Sequence, residues 1–204
     1  MTRKIFCIGM NKTGTTSLEA FMKMHGYTCG DQVKGELLMS AYAKNDWAPI
    51  FEFCETAEFF QDLPFSAPNT FEKITPKFPK AKYILTVRDS AEEWYDSLVR
   101  FHERVFGTPL NRETLIGADY RYQGYAWEVN RLLYRSPEEN PYRKEDLIED
   151  YQDHIKRARA HFSNQNNFLE INLKEGNAVE KLSRFLEIEP QVEVMPWLNK
   201  STEA

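Results

Sequence analysis

The sequence predicts an α/β protein with a three-layer α/β/α arrangement, in which helices cover both faces of a mostly parallel central sheet. Three runs that favour strands alternate with helical patterns along the 204 residues, at 5–10, 82–87 and 167–172. The first run opens with four consecutive apolar residues, which is typical of a parallel strand buried on both faces. Ligands of such sheets bind beyond the carboxyl ends of the strands, so we expect the functional site there.

Apolar residues at helical spacing predict the helices that join these strands. Ser90, followed three residues later by Glu93, is a capping box and predicts that a helix begins there. The segment 47–66 mixes aromatic and acidic residues, and it either lines a pocket or forms a surface helix that packs its aromatic side chains inward. We interpret the chain as one domain over residues 1–204, with residues 107–163 as a helical insertion or lid. The predicted helices run over 14–24, part of 30–45, 70–78, from 90 to about 105, 119–134, 144–162 and 177–188.

Composition excludes several functional classes. The net charge of −5 argues against a general nucleic-acid-binding protein, which would show a basic stripe. Three widely spaced cysteines indicate free thiols in a reducing compartment, and no Cys/His cluster has zinc spacing, so we expect no metal. We also expect no membrane span, because no apolar run approaches ~18 residues, and no signal peptide, because the first strand follows the N-terminus directly. The expectation is a cytoplasmic protein, and its oligomeric state is not readable from the sequence.

The loop after the first strand predicts an anion site. Gly9 and Gly14 bracket four residues, and Thr15 and Thr16 open the next helix. Backbone N–H groups at a helix N-terminus, together with the helix dipole, bind phosphate or sulfate. The loop resembles a P-loop of the Walker A type, but the lysine that follows the second glycine in that motif is replaced by threonine, and Lys12 lies inside the loop instead. A lysine there lies at the mouth of the loop, near a single bridging group.

These motifs resemble those of the PAPS-dependent sulfotransferases (PAPS is 3′-phosphoadenosine-5′-phosphosulfate). The family loop reads Pro-Lys-Ser-Gly-Thr-Thr, and residues 11–16 read Asn-Lys-Thr-Gly-Thr-Thr. The second family motif is a strand that ends in arginine before a helix that carries a serine, as Arg88 and Ser97 do here. The resemblance is closest to the small bacterial-type branch and extends from residue 4 to about 188. Its further matches are Asp62-Leu63-Pro64, Leu85-Thr86-Val87-Arg88-Asp89, Trp94-Tyr95 and Lys174-Glu175-Gly176.

The resemblance implies an enzyme that transfers the sulfuryl group of PAPS to a hydroxyl or amine, leaving 3′,5′-diphosphoadenosine (PAP). The acceptor would be a small molecule or a glycan. Lys12 would neutralise charge on the leaving phosphate, Arg88 and Ser97 would hold the 3′-phosphate, and Asp62 would be the general base. The implied donor-binding residues are Asn11, Lys12, Thr13, Gly14, Thr15, Thr16, Ser17, Arg88, Ser97, Lys174 and Gly176.

The sequence departs from the family in two respects. Arg88 and Ser97 are nine residues apart, one more than is usual. The catalytic histidine and the C-terminal Arg-Lys-Gly motif of the hormone-type enzymes are not evident, so Glu55 and His102 remain alternative bases to Asp62.

Two other functional classes stay open. A P-loop kinase of nucleotides or small molecules is disfavoured by the absence of lysine after Gly14 and of an acidic residue before Arg88 that would organise Mg²⁺. A non-catalytic module that binds a nucleotide or a partner is favoured by the missing histidine base.

Overall fold

The computed structural model describes residues 4–196 and confirms the α/β class. Its central sheet contains four parallel strands in the order β2-β1-β3-β4. The sequence predicted three of them and missed β2, which is only two residues long. The strands are β1 (Ile5–Cys7), β2 (Phe59–Phe60), β3 (Lys82–Val87) and β4 (Phe168–Asn172).

One face of the sheet carries an aromatic row. The strand register pairs Phe6 with Phe60 and with Tyr83, and Tyr83 with Phe168. The ring of Phe6 lies 5.5 Å from that of Phe60 and 5.6 Å from that of Tyr83. Phe162 covers the other end of the row, with its ring 4.8 Å from Tyr83 and 4.7 Å from Phe168. Side chains alternate along a strand, so the residues between these rings face the opposite side.

The opposite face packs against two helices, α1 (Thr15–Met24) and α10 (Ala178–Leu186). Both helices present apolar residues at spacings of three and four, which form a single stripe facing the strands. The buried residues of this cluster include Ile5, Cys7, Phe59, Ile84 and Ile171 from the strands, Leu18, Phe21 and Met22 from α1, and Val179, Leu182 and Leu186 from α10.

The chain divides into two compact units. The first comprises the described residues up to Arg88 and those from Ala158 onward, and it contains the sheet. Its other helices are α2 (Gln32–Leu37), α3 (Met39–Ala43), α4 (Ala48–Phe53) and α5 (Thr70–Lys77). In segment 47–66, Phe59, Phe60 and Phe65 are buried in the core, and the partly buried Phe53 packs 5.3 Å from Phe60 and 6.2 Å from Phe65.

The second unit, Asp89–Arg157, is helical in the described chain. The predicted N-cap is present, because the Ser90 hydroxyl accepts a hydrogen bond from the Glu93 N–H at 3.0 Å. Trp94 stacks on Tyr151 with ring centres 4.6 Å apart. The assignment of residues 107–163 as an insertion stays a prediction. The helices are α6 (Ala91–Phe106), α7 (Arg112–Gly117), α8 (Tyr125–Leu133) and α9 (Lys144–His161), whose last residues belong to the first unit.

No helix within residues 4–196 is long and apolar enough to cross a membrane. The same residues hold no group of three or more His, Cys, Asp or Glu side chains arranged to bind a metal ion.

Candidate functional site

The loop between β1 and α1 lies at the carboxyl end of the sheet, against the end of β3. Gly9 makes this approach possible, because a Cβ atom there would lie 2.1 Å from the Thr86 hydroxyl and 2.6 Å from the Thr86 carbonyl oxygen. Real Cβ atoms do not approach backbone so closely, and only glycine fits without moving one strand from the other. The loop is therefore tightly fixed to the sheet at its first residue.

Two residues with left-handed backbone turn this loop into α1. Lys12 has a φ of 71° and Gly14 a φ of 100°. Gly14 is the N-cap of α1 and offers no side-chain hydrogen bond to the first turn. A Cβ at Gly14 would lie 2.9 Å from the Leu173 side chain, so the turn after β4 lies beside the loop. The first-turn N–H groups of a helix have no partner within the helix, and together with the dipole they favour an anion.

The Thr13 side chain points into the protein. Its buried hydroxyl donates to the Met10 carbonyl at 2.6 Å and lies 2.6 Å from the Thr86 hydroxyl. These bonds hold the loop on β3. The sequence predicted Thr13 as a donor-binding residue, but its hydroxyl forms part of the loop's internal framework.

Two further side chains tie the loop to neighbouring segments. The Arg88 Nε donates to the Lys12 carbonyl oxygen at 2.6 Å, which supports the left-handed turn at Lys12. The Ser66 hydroxyl donates to the Asn11 amide oxygen at 2.8 Å. Arg88 therefore lies beside the loop, as its position at the end of β3 predicted, and at least one of its donors has a structural role.

Asp62 lies just past the end of β2, the strand next to β1. Its backbone is left-handed, with a φ of 61°, and its Oδ1 accepts the Leu63 N–H at 3.0 Å. Although the residue is partly exposed, burial of the carboxyl group raises its pKa to about 7, and the negative charge of Glu36 adds to this effect. The Leu63 N–H and the positive charge of Lys12 act in the opposite direction. Lys12 and Asp62 thus interact electrostatically at the same end of the sheet.

Two side chains of α2 complete the surroundings of Asp62, and sequence reasoning missed both. The Gln32 Nε2 donates to Asp62 Oδ2 at 3.1 Å and to Glu36 Oε1 at 2.9 Å. Glu36 is buried, with 4% of its surface exposed. The only sequence signal was the spacing of the two residues, one helical turn apart after the N-cap Asp31, which does not reveal the partner that they face.

The remaining predicted residues occupy several environments. Thr15, Thr16 and Ser17 form the first turn of α1, where Thr16 is exposed and the other two are buried. Lys174 and Gly176 are exposed in the turn after β4. Ser97 is buried on α6 in the second unit, and its role as a phosphate ligand stays a prediction.

Neither alternative base fits well. Glu55 lies 3.7 Å from Lys4, which precedes β1, at the end of the strand opposite the loop. The His102 Nδ1 lies 2.5 Å from the Tyr142 hydroxyl within the second unit, so this nitrogen already has a partner.

Comparison with known families identifies the family of this chain. A family model described as a sulfotransferase domain matches residues 4–204, which is nearly the whole chain. The chain belongs to this sulfotransferase family. No curated protein matches it.

Membership makes the chain a transferase, and sulfuryl transfer is the chemistry of the family. The site of this sulfotransferase-family protein combines a helix N-terminus without a side-chain cap, a lysine in the loop and a carboxyl group, that of Asp62, whose pKa is raised by burial. An anionic group fits the first two features. A carboxylate with a raised pKa suits proton abstraction.

Proposed function

We propose that this protein transfers the sulfuryl group of PAPS to a hydroxyl or amine of a small-molecule or glycan acceptor. The electrostatic interaction between Lys12 and Asp62 at the end of the sheet supports this proposal most directly. Such a pair would supply a cation for the leaving phosphate and a base for the acceptor. PAPS, when bound, supplies an activated sulfuryl group.

The α1 N-terminus would hold the 5′-phosphate through its first backbone N–H groups and the hydroxyls of Thr15 and Thr16. Lys12 would neutralise the charge that develops on the leaving phosphate. Arg88 and Lys174, which follow two neighbouring strands, are suited to the 3′-phosphate, and an arginine can hold a phosphate through two parallel hydrogen bonds. Ser97 would add a hydroxyl.

On the acceptor side, Asp62 would take the proton of the acceptor hydroxyl or amine. As this proton leaves, the acceptor atom bonds to sulfur, and the bond between sulfur and the 5′-phosphate oxygen breaks. The electron pair of the broken bond stays on the phosphate, next to Lys12. In-line transfer of this kind depends chiefly on positioning and electrostatic stabilisation, which Lys12, Arg88 and the α1 N-terminus would supply.

Replacement of Lys12 tests the proposal. We expect Lys12→Ala and Lys12→Met each to lower turnover at least ~100-fold, the scale of losing a main stabiliser of developing negative charge. Turnover is measured as transfer of labelled sulfate from PAPS to a panel of phenols, alcohols, amines and sugars. Both variants keep a β-carbon at this left-handed position, so backbone strain is unchanged.

Lys44→Ala is the control, because it removes one positive charge at an exposed residue that is not part of the loop. Near-normal turnover in Lys12→Met would remove Lys12 from its role. Failure of the unaltered protein to transfer sulfate to any member of the panel would favour a non-catalytic module.

A further inference from the structure

Helix α2 approaches the backbone next to Asp62 unusually closely. A Cβ atom at Gly35 would lie 2.7 Å from the Leu63 carbonyl oxygen. Only glycine allows this contact without moving one backbone from the other. Helix α2 therefore packs directly against Leu63, the residue that follows Asp62. On the same helix, Gln32 contacts the Asp62 carboxyl group.

The contacts on this face form a short chain of hydrogen bonds. Gln32 and Glu36 are four residues apart and lie on the same face of the helix. The two hydrogens of the Gln32 amide serve Asp62 Oδ2 and Glu36 Oε1, at 3.1 and 2.9 Å. The Leu63 N–H serves the other Asp62 oxygen at 3.0 Å. Both oxygens of the Asp62 carboxyl group thus have fixed donors, which sets its orientation.

We propose that Gln32 and Glu36 are positioning residues for Asp62: the Gln32 amide orients the Asp62 carboxylate, and the buried Glu36 carboxylate holds that amide and places a negative charge beside Asp62. This inference rests on the proposed function only in assigning Asp62 as the base. Glu36 is buried and reaches Asp62 through one shared amide, so its charge acts across little solvent.

Gln32 and Glu36 affect the protonation of Asp62 in opposite ways. Burial and the negative charges of Glu36 and Glu19 raise the pKa of Asp62, whereas the Leu63 N–H and Lys12 lower it. A general base works best when its pKa lies near the working pH. A hydrogen bond to the ionised form favours that form, so the Gln32 amide opposes Glu36. The two side chains therefore act on Asp62 in opposite directions.

The protonation of Asp62 can be measured without knowing the acceptor. Protein labelled with ¹³C at the aspartate carboxyl carbon is titrated by NMR from pH 4 to pH 9, and Asp62→Asn identifies the Asp62 signal. The unaltered protein should show a midpoint of about 7. Glu36→Gln should lower this midpoint by ~1 pH unit, because a nearby like charge is removed. Gln32→Met should raise it, because the ionised carboxylate loses a donor.

Two controls separate positioning from general damage. Glu52→Gln makes the same charge change at an exposed position of α4 and should leave the midpoint unchanged. In the sulfate-transfer assay, the acid side of the pH profile of kcat/KM should move with the NMR midpoint in each variant. A merely structural role would lower activity at every pH without moving the profile.

Four outcomes are informative. Unmoved midpoints in Glu36→Gln and Gln32→Met would overturn the proposal, and so would an Asp62→Asn enzyme that keeps the acid limb of its pH profile. Opposite shifts in the two variants, matched by their pH profiles, would support it. If the unaltered protein transfers no sulfate, the proposed function fails, while the NMR midpoints still decide whether the two residues control the protonation of Asp62.

Discussion

At the scale of single residues, the candidate site contains two residues whose backbone conformation is unfavourable. Lys12 and Asp62 both have left-handed backbone, which costs free energy for residues other than glycine. Each is supported by neighbours, since Arg88 holds the Lys12 carbonyl and the Leu63 N–H holds the Asp62 carboxyl group. The surrounding structure maintains these two conformations at the positions that we assign to the chemistry.

The raised pKa of Asp62 has a consequence for stability. Its pKa is about 7 in the folded protein against 3.8 for an unperturbed aspartate. The folded state therefore binds this proton more tightly than the unfolded chain, and stability is lost as the pH rises through this window. We expect Asp62→Asn to remove this loss. Between pH 5 and pH 8 the unaltered protein should lose about 2 kcal/mol of unfolding free energy relative to the variant.

Urea unfolding at pH 5, 6, 7 and 8 measures this difference without any ligand. Asp96→Asn, the same change at an exposed position, is the control. Parallel pH dependences of the unaltered protein and Asp62→Asn would show that Asp62 is not protonated near neutral pH.

At the scale of elements, the sequence predicted the principal strands and the loop, because their signals are local. The continuous apolar run before the loop and the strand Lys82–Val87 were visible in residue type alone. The pair Gly9 and Gly14 indicated the turn. The contacts that give these glycines their roles, with Thr86 and Leu173, come from distant parts of the chain and had no sequence signal.

The missed strand β2 and the missed contacts of helix α2, which itself was predicted within residues 30–45, share a physical cause. Strand β2 has two residues, too few to show any periodicity, and it is set among aromatic residues that suit a helix or a core equally well. Its existence depends on pairing with β1. Helix α2 has six residues, and the burial of Glu36 on it follows from its contact with Leu63 rather than from its composition. Pairing and packing of this kind are decided by the tertiary structure.

The junction of the loop with β3 leads to a prediction for the first glycine. We expect Gly9→Ala to destabilise the protein by at least about 3 kcal/mol, because its Cβ would meet the Thr86 backbone as well as its side chain. Gly117→Ala is the matched control, since a Cβ there has no atom within 4 Å. Thermal unfolding followed by circular dichroism compares the two. Equal melting temperatures would mean that the loop does not pack against β3 as described.

At the scale of the whole molecule, the protein and the donor that we propose both carry negative charge and therefore repel each other. The chain carries a net charge of −5, whereas the donor that we propose is strongly anionic. Attraction must then come from local groups at one end of the sheet: the α1 N-terminus, Lys12, Arg88 and Lys174. The parallel order β2-β1-β3-β4 gathers these groups, because it places the ends of β1, β3 and β4 side by side.

The positive groups at these strand ends predict that PAP raises the thermal stability of the protein more than ATP with Mg²⁺ does. PAP at 100 times its dissociation constant should stabilise the folded protein by about 2.7 kcal/mol, since it binds the folded state alone. For a chain of this length that corresponds to a rise in Tm of roughly 5–10 °C. ATP with Mg²⁺ at the same concentration should give a smaller rise, because the loop lacks the lysine that follows the second glycine in nucleotide kinases.

Differential scanning fluorimetry with each nucleotide measures these shifts. Arg88→Ala should reduce the rise with PAP, because the variant loses both the phosphate ligand that we propose and the hydrogen bond that supports the Lys12 turn. Lys44→Ala, which removes a positive charge at an exposed residue that is not part of the loop, should respond as the unaltered protein does. An equal or larger rise with ATP and Mg²⁺ would contradict PAPS as the donor and would favour phosphoryl transfer at this loop.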